Sequence, residues 1–205
     1  MHCIERLSAW MASRHSLKSR LSIFQVIFSC NLVIGITRSM ASPPLEYEIA
    51  PAEMLDITDL EISALLTQVY VTGGFTTPDE AVALFEPTEV RQRGVLIGAR
   101  ENRYSTLAGL VIVVPPDSPS RRLAGNNEAE LHLLSVKPEY RKHGLGRMLI
   151  EAAIDKAHCL GCSKLILWTQ LSMNAAQRLY ESTGFHHTGN MERNGRDFKV
   201  YERDL

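Results

Sequence analysis

One stretch, from Glu130 to Trp168, constrains the fold of this 205-residue chain more than any other. An apolar strand, Glu130 to Val136 (ELHLLSV), is stopped by Pro138. Gly144 and Gly146 then open an amphipathic helix, Gly144 to His158, with Leu145, Met148, Leu149, Ala152 and Ala153 on one side. A second apolar strand, Lys164 to Trp168 (KLILW), follows. Such a strand–helix–strand unit lays its two strands parallel in one sheet and covers a sheet face with the helix.

The flanking segments add to this core. Leu45 to Ile49 alternates apolar with acidic residues and reads as a first strand. Asp59 is placed to cap a helix reaching about Val71, which Gly73-Gly74 ends. Pro78-Asp79-Glu80 starts a short helix to Phe85. Gly94 to Arg100 and Leu107 to Val114 read as strands, the second apolar enough to be buried on both faces. Pro115 to Asn127 reads as a surface loop. Asn174 to Ser182 is a short helix closed by Gly184. Strands at Phe185–Gly189 and Phe198–Arg203 flank the hairpin turn Asn194-Gly195. The expected fold is α/β (α+β): a mixed, mostly antiparallel sheet of six to seven strands with helices on both faces.

Residues 1–42 differ from the rest. They hold five basic residues against Glu5 alone, and Leu21 to Ile36 is largely apolar. This is the pattern of a targeting segment, although the apolar run is short for a membrane span. Met40 also opens a natural start for a soluble protein, so the extension is also read as a mis-assigned start, with a real N-terminal helix as the third reading. The division is therefore an N-terminal extension, 1–42, and one domain, 43–205, expected in the cytoplasm. That domain is mildly acidic, with 17 basic against 22 acidic residues, and gives no reason to expect nucleic acid as a partner. Cys159-Leu-Gly-Cys162 has the spacing of half a zinc site, but no second such pair exists and no metal is expected.

The chemistry is concentrated where the helix opens. The first turn of a helix offers unpaired N–H donors and a partial positive charge. Glycines there let the backbone approach a ligand, so Arg141-Lys142-His143-Gly144-Leu145-Gly146-Arg147 reads as an anion site suited to a diphosphate. Neither a nucleotide P-loop nor a GxGxxG dinucleotide turn is present.

These residues resemble the GNAT superfamily of N-acetyltransferases. The family's Arg/Gln-x-x-Gly-x-Gly/Ala signature is matched by Arg141 to Gly146, preceded by Val136-x-Pro138-x-Tyr140. A second block, Ala176 to Phe185 (AQRLYESTGF), matches as well, and the resemblance covers about residues 45–205. One position departs: where many members carry Asn seven residues before the Tyr, this chain has Met173, with Asn174 one place later.

The resemblance implies acetyl-CoA as acyl donor, no metal, and an amine acceptor attacked directly in a ternary complex. It implies that the strand ending at Val136 and the strand Lys164–Trp168 splay apart. Pantetheine would lie in the gap beside Leu134, Ser135 and Val136, and the diphosphate would sit on the amides from Lys142 to Arg147. It puts a catalytic base at Glu130, with His132 on the same strand face as the rival. It makes Tyr180 the acid beside the thiol. Trp168 and Phe185 are read as core residues. The family often dimerises, which leaves a homodimer open. The acceptor would be shaped by Val71 to Pro78, a mobile lip, and by the terminal hairpin. The alternative is a non-catalytic acyl-CoA-binding regulatory module.

Overall fold

The computed structural model describes residues 45–205; the N-terminal extension lies outside the described residues. Seven strands form one sheet: β1 (Tyr47–Pro51), β2 (Val95–Glu101), β3 (Thr106–Val114), β4 (Glu128–Val136), β5 (Lys164–Gln170), β6 (His186–Arg193) and β7 (Arg196–Asp204). Their order across the sheet is β1-β2-β3-β4-β5-β7-β6. Every neighbouring pair is antiparallel except β4 with β5. This is the expected mixed, mostly antiparallel sheet.

The helices are α1 (Asp59–Leu66), α2 (Pro78–Leu84), α3 (Pro87–Gln92), α4 (Leu145–Cys159) and α5 (Asn174–Ser182). None of the described helices is long and apolar enough to cross a membrane. They lie on both faces of the sheet. Leu145, Leu149, Ile150 and Ala153 of α4 pack with Val111, Val113, Leu131 and Leu165 on one face. Ile62, Leu65 and Leu66 of α1 pack with Leu107, Leu110, Ile112 and Val114 on the other. Strand β3 therefore supplies alternate residues to two cores, which is why its sequence is apolar almost without interruption.

Local chemistry sets the helix ends. Thr58, rather than Asp59, caps α1: its Oγ1 accepts from the Glu61 N–H at 3.2 Å while Glu61 Oε2 accepts from the Thr58 N–H at 2.9 Å. Asp59 is the first helical residue, where its charge still favours the helix dipole. Thr77 and Glu80 repeat this box on α2. Helix α3 was not read from the sequence, because its six residues, Pro87 included, leave too short a period to recognise.

Two irregularities shape the site. The helix expected to run regularly to Val71 becomes a π-turn over Thr67–Val71, with Thr72 N–H bonded to Thr67 C=O at 3.0 Å. Such turns re-aim side chains and concentrate at functional sites. In β4, the register against β3 slips between Ile112↔His132 and Leu110↔Ser135, and Leu133 takes a φ of 52°. This is a β-bulge, which bends its strand and leaves backbone groups unpaired. Parallel pairing of β4 with β5 is confined to Glu128–Glu130 against Lys164–Ile166. Beyond it β5 pairs with β7 alone as far as Gln170.

Leu149 tests the packing of α4. It is fully buried, and a Cβ placed on Gly109 of β3 would come within 3.0 Å of its Cδ1. Leu149→Ala is expected to lower stability by about 3 kcal/mol, measured by urea denaturation of the full chain.

Candidate active site

The turn from β4 into α4 is built as the glycines suggested. Pro138–Tyr140 makes one 3₁₀ turn, Lys142 and Gly144 take φ values of 64° and 81°, and Gly144 caps α4. Among the described residues, no backbone N–H from Lys142 to Arg147 finds an acceptor, whereas Arg141 N–H bonds Pro138 C=O and Met148 N–H bonds Gly144 C=O. Six consecutive donors are thus left without a partner within the described residues, as the opening turn of a helix leaves them. Gly146 has a different reason: a Cβ there would lie 2.8 Å from Leu179 Cδ2, so its absence lets α4 and α5 approach.

The basic side chains divide. Arg141 Nε donates to Val136 C=O at 3.0 Å, and Arg147 donates to the C=O and Oγ of Ser182, each at 3.1 Å. Both therefore brace the turn. Lys142 and His143 are exposed beside it. Met173 stands at the N-terminus of α5 with its sulfur 3.4 Å from Thr169 Oγ1, while Asn174 is exposed.

Glu130 does not face open space as a proton acceptor would. It is wholly buried, and Oε1 accepts from the N–H groups of Arg122 (2.8 Å), Leu123 and Ala124 (2.7 Å). Its Oε2 lies 2.8 Å from His132 Nε2. Burial alone would raise the carboxyl pKa, but the bonds from His132 and the three amides outweigh it and hold it below the usual carboxylate range. A carboxylate only accepts, so the Nε2 it faces carries the proton and Nδ1 of neutral His132 carries the lone pair. Burial also lowers the His132 pKa, against the pull of Glu130, which favours the neutral ring. Sequence spacing had put both residues on one strand face; it held no sign that the loop 115–127 folds back and occupies Glu130.

His132 packs against the edge of Trp168, with ring centroids 4.7 Å apart. Trp168 is thus beside the site, while Phe185 is a core residue stacked edge-on against Tyr180. Tyr180 is buried, and burial first, then the nearby Tyr70 hydroxyl, raises its pKa far above the ordinary phenol value. Tyr70, on the π-turn, was missed by sequence reading. Its hydroxyl donates to Leu134 C=O in the bulge at 3.1 Å, joining α1 to the point where β4 and β5 part. The lip after it is pinned: Phe75 and Thr76 N–H groups bond Tyr70 C=O, and Gln170 Nε2 bonds Phe75 C=O at 2.7 Å. Arg196 of the terminal hairpin holds Glu80 at 2.7 Å and draws its pKa down to about 2. Among the described residues no group of His, Cys, Asp and Glu could hold a metal ion.

A family model described as the Acetyltransferase (GNAT) family matches residues 60–185. The chain belongs to the GNAT acetyltransferase family. It is 35% identical over 83 residues to N-acetyltransferase family 8 member 3 of Rattus norvegicus, a match covering 40% of this chain and 35% of that protein. It is 43% identical over 60 residues to the ribosomal protein bS18-alanine N-acetyltransferase of Escherichia coli, covering 29% of this chain and 40% of that one. The chain thus spans well under half the length of these curated relatives. The solved structure of the latter enzyme superposes with a TM-score of 0.57 at 22% identity, over 78% of this chain and 94% of that one. Ard1 from Thermoplasma volcanium superposes with a TM-score of 0.59 at 15% identity, over 78% and 97%. At such identities the structural likeness speaks for the fold alone.

The buried Glu130 has a titration signature. Its folded pKa is lowered, so its contribution is present above the unfolded value near ~4.3 and is lost as pH falls through the folded value. Glu130→Gln is expected to lower stability by on the order of 2 kcal/mol at neutral pH. The gap between the two urea midpoints should hold from about pH 8 to about pH 6 and close below about pH 4. A gap that widened on acidification would mean that the carboxyl is protonated in the fold.

Proposed function

We propose that this chain transfers the acetyl group of acetyl-CoA to an amine by direct attack in a ternary complex. One observation carries the reading. β4 and β5 part after Glu130, with six free N–H groups where β4 turns into α4 and neutral His132 beside the gap. A diphosphate matches the N–H arc from Lys142 to Arg147, through the backbone of Lys142, His143, Gly144, Leu145, Gly146 and Arg147. A pantetheine arm matches the edge of β4 at Leu134, Ser135 and Val136, as an added strand would. Bound acetyl-CoA supplies the thioester and its acyl group; the chain supplies position and protons.

An alkylammonium has a pKa near ~10 and must lose a proton before it can attack. His132 Nδ1 is the group we assign to accept it. Glu130 is a positioning residue, fixing the His132 tautomer and ring through Nε2 and tying down the loop at Arg122–Ala124. The bulge at Leu133 frees backbone N–H groups for the carbonyl oxygen, where charge develops. Tyr180, kept protonated by burial, is the donor for the departing sulfur.

His132→Gln is expected to lower kcat by about 100-fold or more, with KM for acetyl-CoA unchanged within about twofold. Wild-type kcat/KM should fall on the acid side as His132 protonates, below the ordinary imidazole value, and the variant should lose that limb. Thiol release with a panel of amines reads both. An unaltered kcat in the variant would remove His132 from the chemistry.

Gly144→Val places a branched side chain at a φ of 81° and should swing the N–H arc out of line. CoA affinity by calorimetry is expected to fall about tenfold or more, near 1.4 kcal/mol. Wild-type protein that shows no heat with CoA or acetyl-CoA would end the proposal, and binding without turnover would favour the regulatory module.

A further inference from the structure

The segment after α1 touches three strands of the sheet in turn. Tyr70 Oη donates to Leu134 C=O of β4 at 3.1 Å. Gln170 Nε2 of β5 donates to Phe75 C=O at 2.7 Å. Arg196 Nη2, at the start of β7, holds Glu80 Oε2 at 2.7 Å. Residues 70–80 therefore run across the seam, from β4 past the end of β5 to the terminal hairpin. They do so on the face that carries the chemistry. His132 lies opposite Ile112 and Glu130 opposite Val114 in the β3–β4 register, and both partners pack in the α1 layer. Ile166 pairs with Glu130, so strand alternation puts Ile166, Trp168 and Gln170 on that same face. Trp168 meets the His132 ring, and Gln170, the next residue on this face, meets Phe75.

Tethers rather than packing hold this segment. Val71 and Ala81 anchor its ends against the α1 core, but no residue from 72 to 80 is buried. The turn inside it is closed by Gly74 N–H to Val71 C=O at 3.0 Å, and by Phe75 and Thr76 N–H to Tyr70 C=O at 2.8 and 3.1 Å. Both glycines suit that turn: a Cβ on Gly73 would collide with Val69 C=O, and Gly74 takes a φ of 76°. Past the glycines the segment depends on Gln170 and on Glu80. Glu80 Oε2 also accepts from Thr76 Oγ1, Thr77 Oγ1 and Thr77 N–H, each at 3.0 Å. Segments with few buried apolar contacts open locally with little loss of free energy. Arg196 and Glu80 are each about one-third exposed, and a pair at that exposure is weak and sensitive to salt. That suits a fastening which must release in every turnover.

We propose that residues 70–80 form a strap closed over the acceptor side of the seam and latched by the Arg196–Glu80 pair, and that an amine reaches His132 only when the latch opens. This rests on the acetyl-transfer reading above and adds to it the residues that control access. The coenzyme does not pass this gate, because its turn belongs to α4, which packs on the other face of the sheet. Gly73 and Gly74 are the hinge, and Gln170 sets the closed position. Gln170 also joins the strap to α5: its C=O accepts from Gln177 Nε2 at 3.1 Å, about one helical turn before Tyr180. Closure thus aligns the strap with Trp168, the neighbour of His132, and with the helix that carries the proposed acid.

Acrylamide quenching of the full chain tests access without turnover. The sequence has two tryptophans, so Trp10→Phe leaves Trp168 as the sole reporter beside His132. In that background the Trp168 quenching constant is expected to rise about twofold or more in Arg196→Gln, which spares the cap between Thr77 and Glu80. Raising salt from about 0.05 M to about 0.5 M should raise it by a similar factor in the parent and leave the variant unmoved. Arg178→Gln, at an exposed position of α5, removes the same charge and should change neither. Hydrogen exchange at the Gly74, Phe75 and Thr76 amides should quicken about threefold or more in Arg196→Gln, while α4 keeps its protection. In thiol release with the amine panel, kcat/KM for the best acceptor should rise about threefold or more, with CoA affinity unchanged within about twofold. Unaltered quenching and exchange in Arg196→Gln overturn the latch. Stronger quenching with unaltered kcat/KM overturns the gate, as does heat with CoA but no turnover of any amine. No heat with CoA sinks the acetyl-transfer reading, and quenching then still decides whether the strap covers Trp168.

Discussion

Strands β4 and β5 run parallel for three residue pairs and then separate, and the site grows from that separation. Two features of the chain keep them apart. The bulge at Leu133 bends β4 away, and Tyr70 caps the freed Leu134 carbonyl from the opposite layer. On its far edge β5 stays fully paired with β7, so the sheet opens without fraying. An open seam inside a sheet leaves backbone donors and acceptors without partners, which is unfavourable unless a ligand meets them. The proposed pantetheine arm is such a ligand.

Glu130 shows how one buried carboxylate can organise a larger region. Its two oxygens act in different directions. One gathers three amides of an otherwise irregular loop, and the other orients His132. Ionised carboxylates are rarely buried without such compensation. Here the compensation carries the loop, and with it Arg122, to the edge of the site. Glu61 plays a similar part at the other side of α1, closing the cap and holding Arg100 at 2.7 Å.

The layer opposite α4 does more than cover the sheet. The π-turn delivers Tyr70, α2 presents Glu80 to Arg196, and Gln170 holds the Phe75 carbonyl. The segment anticipated as a mobile lip is therefore tied to β5 and to the terminal hairpin at once.

Sequence alone determined the parts that depend on neighbours along the chain. Periodicity located all seven strands to within a few residues; the paired glycines marked the start of α4, and Asn194-Gly195 the hairpin. Those signals are local: a side-chain period, a capping residue, a residue able to hold positive φ. What tertiary structure decided are the relations between residues far apart in sequence. Nothing local to Glu130 foretells that residues 122–124 will use up its lone pairs, or that Tyr70 will meet Leu134 across 64 positions.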